Sequence, residues 1–124
     1  MHRFPLFLIF ASALACAEAP ADFLARYERE TGPGDAQRGR QFFSSRHNGE
    51  WSCATCHSEQ PTQVGRHAKT DKPIQPLAPR ANAERFTDAA KVDKWFRRNC
   101  NDVLSRECSA REKADVLAFL LAQK

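Results

Sequence analysis

Cys53, Ala54, Thr55, Cys56 and His57 are the five consecutive residues whose types and spacing carry the most specific chemistry in the chain. Two thiols three positions apart followed at once by an imidazole spell CxxCH, the pattern by which haem c is attached through two thioethers. In such a motif Cys53 and Cys56 reach the two vinyl groups of one porphyrin, and His57 is held beneath the iron as an axial ligand. Three other uses of the thiols fit less well. A structural zinc site needs a fourth ligand, yet no second CxxC occurs and only His47 and His67 are at hand. A thioredoxin-like redox pair needs a βαβ setting that the flanks do not supply. A plain Cys53–Cys56 disulfide leaves His57 without a role. One covalently bound haem c is therefore expected.

The sixth position of the iron is less directly written. Electron-transfer cytochromes commonly fill it with a methionine sulfur, but Met1 is the sole methionine here and belongs to the leader. At 100° per residue, Val92, Phe96, Asn99 and Val103 share one narrow helix face, and Asn101 falls on the opposite, charged side. An amide on an apolar stripe must satisfy its polar atoms or incur roughly 1 to 3 kcal/mol, and coordination would satisfy the oxygen. From the residues alone, Asn99, His67, His47 and an open position all stand as alternatives. Cys100 follows Asn99 directly, with Cys108 eight residues on. A bridge between them would contribute about 2 to 3 kcal/mol and would pin the backbone beside Asn99.

The elements that must position these groups fit one domain. Residues 1–17 read as a secretory signal, with His2 and Arg3, an apolar run from Phe4 to Leu14, and Ala15 and Ala17 at a cleavage site after Ala17. That run is too short to span a bilayer. Acylation of Cys16 in a lipoprotein is the competing reading. The mature unit is then a single domain, 18–124, placed in the periplasm, where thiols are oxidised or captured by a cofactor. The net charge of +4, reduced by one when Arg3 is removed, is too mild to imply nucleic acid. Asp22 to Glu30 predicts a short amphipathic helix, and Asp35 caps a second running through Ser44, ended by Asn48 and Gly49. Ser58 to Arg85, with four prolines and no periodicity or credible hairpin, predicts a long loop wrapped on a cofactor. Thr87 or Asp88 opens a helix to about Val103, and Ser109 with Glu112 forms a capping box for a last helix to Ala122. The fold class is all-α, with four to five helices around one haem.

From CxxCH through KTDKPIQPLAPRANAERFTD to KVDKWFRRNCNDVLSREC and EKADVLAFL, the chain resembles the oxygen-binding c-type cytochromes called sphaeroides haem protein. The resemblance implies a class I cytochrome c-like fold. It implies an asparagine ligand next to a disulfide-bonded cysteine, which maps onto Asn99, Cys100 and Cys108. It further implies transient binding of oxygen or nitric oxide, with a dihaem cytochrome as electron donor. Asp71 stands where glycine is expected. A hard amide donor favours ferric iron and loosens on reduction, so a redox-gated site for diatomic gases is expected. An enzyme reducing oxygen, peroxide or nitric oxide at that site, and a bis-histidine carrier using His67, are the alternatives; a sensor role is disfavoured because no effector domain is present. Arg66, Lys69, Arg80 and Arg85 are candidate partners for the haem propionates. Trp51, Trp95 and Phe96 are candidates to pack on the porphyrin.

Overall fold

The structure is a computed structural model and describes residues 11–13 and 16–124, so most of the expected signal segment lies outside the described residues. Among these described residues, five helices and one minimal hairpin follow in chain order: α1 (Pro20–Thr31), α2 (Ala36–Ser44), α3 (Cys53–His57), β1 (Gly65–Arg66), β2 (Pro73–Ile74), α4 (Ala89–Leu104) and α5 (Ala110–Leu121). The expected all-α class holds. Each start has a local cause. Pro20 stands in the first turn of α1, where its missing N–H costs nothing, and Asp22 accepts from the Ala19 N–H at 2.7 Å. Asp35 and Asp88 accept from the Arg38 and Lys91 N–H groups, and Ser109 and Glu112 form the expected reciprocal cap.

The second helix stops at Ser44, as expected, and is followed by a turn in which His47 and Asn48 both have positive φ. One sequence expectation needs correction. The loop after the motif contains a two-stranded antiparallel hairpin, pairing Gly65 with Ile74 and Arg66 with Pro73. Strands of two residues carry no alternating pattern, so periodicity could not reveal them. Asp71 sits in its turn at φ 57°, a left-handed conformation that accounts for glycine being expected there. Asp is among the side chains that tolerate that region best.

The core is organised by α5, which packs against both α1 and α2. On one side of it Phe23, Tyr27, Val92, Ala114 and Leu117 form a cluster, and on the other Phe43, Ala54, Val116, Phe119 and Leu120 form a second. Phe86 and Phe96 touch both, bridging the space between them. Tight crossing of α2 on α5 depends on Gly39, where an added Cβ would lie 1.9 Å from the Asp115 carbonyl oxygen. Gly39→Ala is expected to cost about 2 to 3 kcal/mol, because helix backbones rather than a pliable side chain must move apart. Urea unfolding of the haem-loaded protein measures this; an unchanged midpoint would mean that the crossing relaxes freely.

Asp115 closes the same junction. Asp115 is 5% exposed, and its carboxylate accepts from Asp35 N–H at 2.8 Å, Arg38 Nε at 2.9 Å and Arg38 Nη2 at 2.8 Å. Burial would raise its pKa, but the Arg38 and Asp35 donors outweigh that and hold it below the ordinary carboxylate value. Because the folded value is depressed, this contribution is complete above about pH 4 and is lost as pH falls through the folded value. Asp115→Asn is therefore expected to destabilise at neutral pH and to flatten the acid limb of a stability-against-pH curve. An acid limb identical to that of the wild type would refute this.

Candidate haem site

The five-residue helix α3 distributes its side chains by role. Ala54 is buried in the second cluster. Thr55 instead completes the cap: its N–H donates to Ser52 Oγ at 3.0 Å, and its Oγ1 accepts from the Ser52 N–H at 2.9 Å. Cys53, Cys56 and His57 then face a cleft. Ser58 ends the helix at φ 71°, and Gly65 lets β1 pass against it, since a Cβ there would lie 1.9 Å from the Cys56 carbonyl oxygen. The Ala68 N–H donates to Cys56 Sγ at 3.4 Å.

The cleft has two lobes. The larger, about 920 Å³ counted to its open mouth, is walled by apolar side chains including Phe42, Phe43, Leu77, Phe86, Phe96 and Leu120. The smaller contains Trp51, Cys56, His67 and Lys69. Cys53, His57, Asn99 and Val103 line both, so the thiol, the imidazole and the amide border the same space. Asn99 is half-buried, and among the described residues its side-chain amide makes no hydrogen bond to protein. Asn101 is exposed, in keeping with the helix-face reading.

The electrostatics of the floor suit a metal-ligating imidazole. Burial, and secondarily the charge of Arg85, push His57 down to about 4, so the ring is neutral at physiological pH. His57 Nδ1 is buried with no hydrogen-bond partner, an orphaned polar atom in an apolar surround. The tilted ring of Phe43 lies 6.4 Å away, with Phe43 itself 1% exposed, and backs the imidazole. Burial pushes Cys53 up to about 11, keeping it a thiol. A largely apolar cleft with two thiols and a neutral, unpartnered imidazole at its floor fits a covalently held porphyrin. Among the described residues no group of three or more His, Cys, Asp or Glu side chains is placed to hold a metal ion.

The other sequence candidates are separated by the fold. His67 lines the smaller lobe but is exposed, and its Nδ1 accepts from the Lys69 and Thr70 N–H groups at 3.2 and 3.3 Å. His47 lies with its ring tilted against that of Phe42 and engages the Phe42 carbonyl through Nε2 at 2.8 Å, and it lines neither lobe. Cys100 and Cys108 form a disulfide, linking α4 to the start of α5 with both cysteines in the cleft wall. Of the four basic candidates, Arg66 reaches toward Asp71 and Lys69 sits over Trp51, while Arg80 is exposed. Arg85 alone is half-buried in the larger lobe, bonded to the Pro76 and Gln75 carbonyls at 3.0 and 2.8 Å and to no carboxylate. The sequence had not marked Leu77 or Phe86. The latter carries φ 57°, a costly conformation for a bulky residue, and lies where the two core clusters meet over the cleft.

Fold and cleft together define a small, all-α c-type cytochrome. Residues 29–120 match the family described as Domain of unknown function (DUF1924). Cytochrome c-type protein SHP of Cereibacter sphaeroides is 49% identical over 116 residues, covering 90% of this chain and 89% of that protein. The solved structure of oxidized SHP, an oxygen binding cytochrome c, superposes with a TM-score of 0.81 at 48% identity, covering 87% of this chain and 100% of that one. The solution structure of Methylophilus methylotrophus cytochrome c'', described with insights into haem-ligand detachment, matches with a TM-score of 0.72 at 35% identity, over 84% and 93% of the two chains. The chain belongs to the SHP family of c-type cytochromes, and its cofactor is haem.

Proposed function

We propose that this protein is an exported monohaem electron carrier whose iron takes small diatomic ligands, oxygen and nitric oxide among them, when Asn99 withdraws on reduction. The observation that carries this reading is the unpartnered amide of Asn99, set on an apolar wall in the same cleft as the orphaned imidazole of His57. Cys53 and Cys56 would hold the porphyrin through thioethers, and His57 would ligate its iron. The haem, when bound, supplies a one-electron couple and an iron able to take a sixth ligand. Asn99 offers a hard oxygen donor, well matched to ferric and poorly matched to ferrous iron. The Cys100–Cys108 bridge fixes the backbone at the next residue, so a displaced Asn99 amide would stay in the cleft, where its N–H could donate to an incoming molecule. SHP is described as oxygen binding, and cytochrome c'' as undergoing haem-ligand detachment, which supports the same behaviour here.

The mature chain is residues 18–124, cleaved after Ala17 and periplasmic; among the described residues no helix is long and apolar enough to cross a membrane. The electron donor is a second cytochrome, of the dihaem kind that the sequence resemblance implies. For the ligand reading, Asn99→Ala is expected to change the ferric absorption spectrum while leaving carbon monoxide binding by the ferrous protein intact. Ferric spectra indistinguishable from wild type would remove Asn99 from the iron.

Arg85 is the cation that meets the carboxylates of the cofactor. A half-buried guanidinium satisfied only by carbonyls has spare charge, and burial lowers its pKa from the ordinary value for that reason. Arg85→Gln is expected to lower the midpoint potential by on the order of 60 mV, a tenfold shift in a one-electron equilibrium, because a positive charge near the iron favours the ferrous state. Potentiometric titration decides this, and an unchanged potential would place Arg85 in loop anchoring alone.

A further inference from the structure

Trp95 is the most exposed aromatic side chain among the described large apolar residues, 47% open to solvent, and yet it lines the larger lobe of the cleft beside Phe96 and Asn99. One part of the indole thus meets the cleft and the rest meets water. Cations crowd it: Lys94 Nζ lies 5.3 Å from its ring and Arg98 Cζ 5.6 Å. At 100° per residue Lys91 falls on the same strip, and it too lines the lobe. Among the described residues none of these three forms an ion pair. Asp88 and Asp102 stand at the two ends of the strip, and Asp88 is already occupied in capping the helix at the Lys91 N–H.

An exposed indole ringed by unpaired Lys and Arg is the composition of an interface centre, where Trp and Arg dominate binding and charge sets encounter. A membrane surface fits less well, because a lipid-binding helix needs a broad apolar stripe and this strip has a single aromatic. We propose that the Trp95 strip of α4 is the docking surface for an acidic protein that delivers electrons, with the indole as its central contact at the edge of the haem cleft. The proposal rests on the haem reading above. One electron passes from the donor to ferric haem, giving ferrous haem and the donor oxidised by one electron, with no atom transferred.

Reduced flavodoxin, an acidic one-electron donor, serves as the probe in stopped-flow reduction of the haem-loaded ferric protein. At low ionic strength the Lys94→Glu, Arg98→Glu double variant is expected to be reduced roughly tenfold or more slowly than wild type, with the salt dependence abolished. Trp95→Ala is expected to slow reduction while keeping the salt dependence. Arg40→Glu, a charge reversal on the exposed side of α2, controls for overall charge and is expected to leave the rate nearly unchanged. Equal rates in all variants, or an equal loss in Arg40→Glu, would overturn the proposal. So would phosphatidylglycerol vesicles capturing the protein through these residues while flavodoxin ignores them. Absorption after dithionite separates the two levels: a variant with wild-type haem bands has an intact site, whereas absence of haem bands in the wild type defeats the haem reading and the docking surface with it.

Discussion

Asn99→Met is expected to turn a gas-binding haem protein into one that refuses diatomic ligands. Asn99 lies on the cleft wall between Phe96 and Val103, and the Cys100–Cys108 bridge fixes the backbone at the next residue, so a thioether there is delivered to the space the amide occupies. Sulfur is a soft donor that suits ferrous iron and raises the potential, whereas an amide oxygen is hard and suits ferric. On the proposed reading, a ligand that would leave on reduction is thereby replaced by one that would stay. Carbon monoxide affinity of the ferrous protein should fall by roughly a hundredfold, which corresponds to about 2.8 kcal/mol, and the midpoint potential should rise. Carbon monoxide titration under reductant measures the first effect. Affinity equal to wild type would mean that residue 99 does not govern access to the iron.

The second large effect concerns the attachment itself. Cys53→Ala combined with Cys56→Ala is expected to yield a protein whose haem is extracted by acidified organic solvent, whereas the wild type retains it. Both thiols face the cleft from a helix of only five residues, and burial keeps Cys53 protonated. A protonated Cys53 would resist adventitious oxidation and so remain available for addition to a vinyl group. The intact mass of the wild type should exceed that of the mature polypeptide by one haem, and that of the double variant should not after extraction. Retention of haem by the double variant under those conditions would show that attachment runs through other groups.

Much of this site was legible in the residues because it is written in local code. CxxCH needs no tertiary information, and the caps at Asp35, Asp88 and Ser109 mark helix starts through backbone N–H groups that side chains must satisfy. Helical periodicity alone put Asn99, Val92 and Val103 on one face, and the fold places that face on the cleft and the core. What was not legible depends on distant backbone. Gly39 looks like any glycine in a helix until Asp115 is brought against it, and Gly65 until it passes under Cys56. Arg85 looked equivalent to Arg66, Lys69 and Arg80, since charge carries no periodic signature. Only the folding of the 75–85 loop, with its guanidinium bonded to Gln75 and Pro76, separates it from them. Trp95 read as a candidate to pack on the porphyrin. Its exposure is a property of the assembled surface, not of the helix pattern.

The central claim is that the protein side of the iron changes with its oxidation state, and resonance Raman coordination markers of the purified wild type test it most directly. A ferric form with six ligands and a ferrous form with five, in the absence of any added ligand and with prompt carbon monoxide uptake on reduction, is the predicted result. A ferrous form that keeps six ligands and excludes carbon monoxide would contradict it.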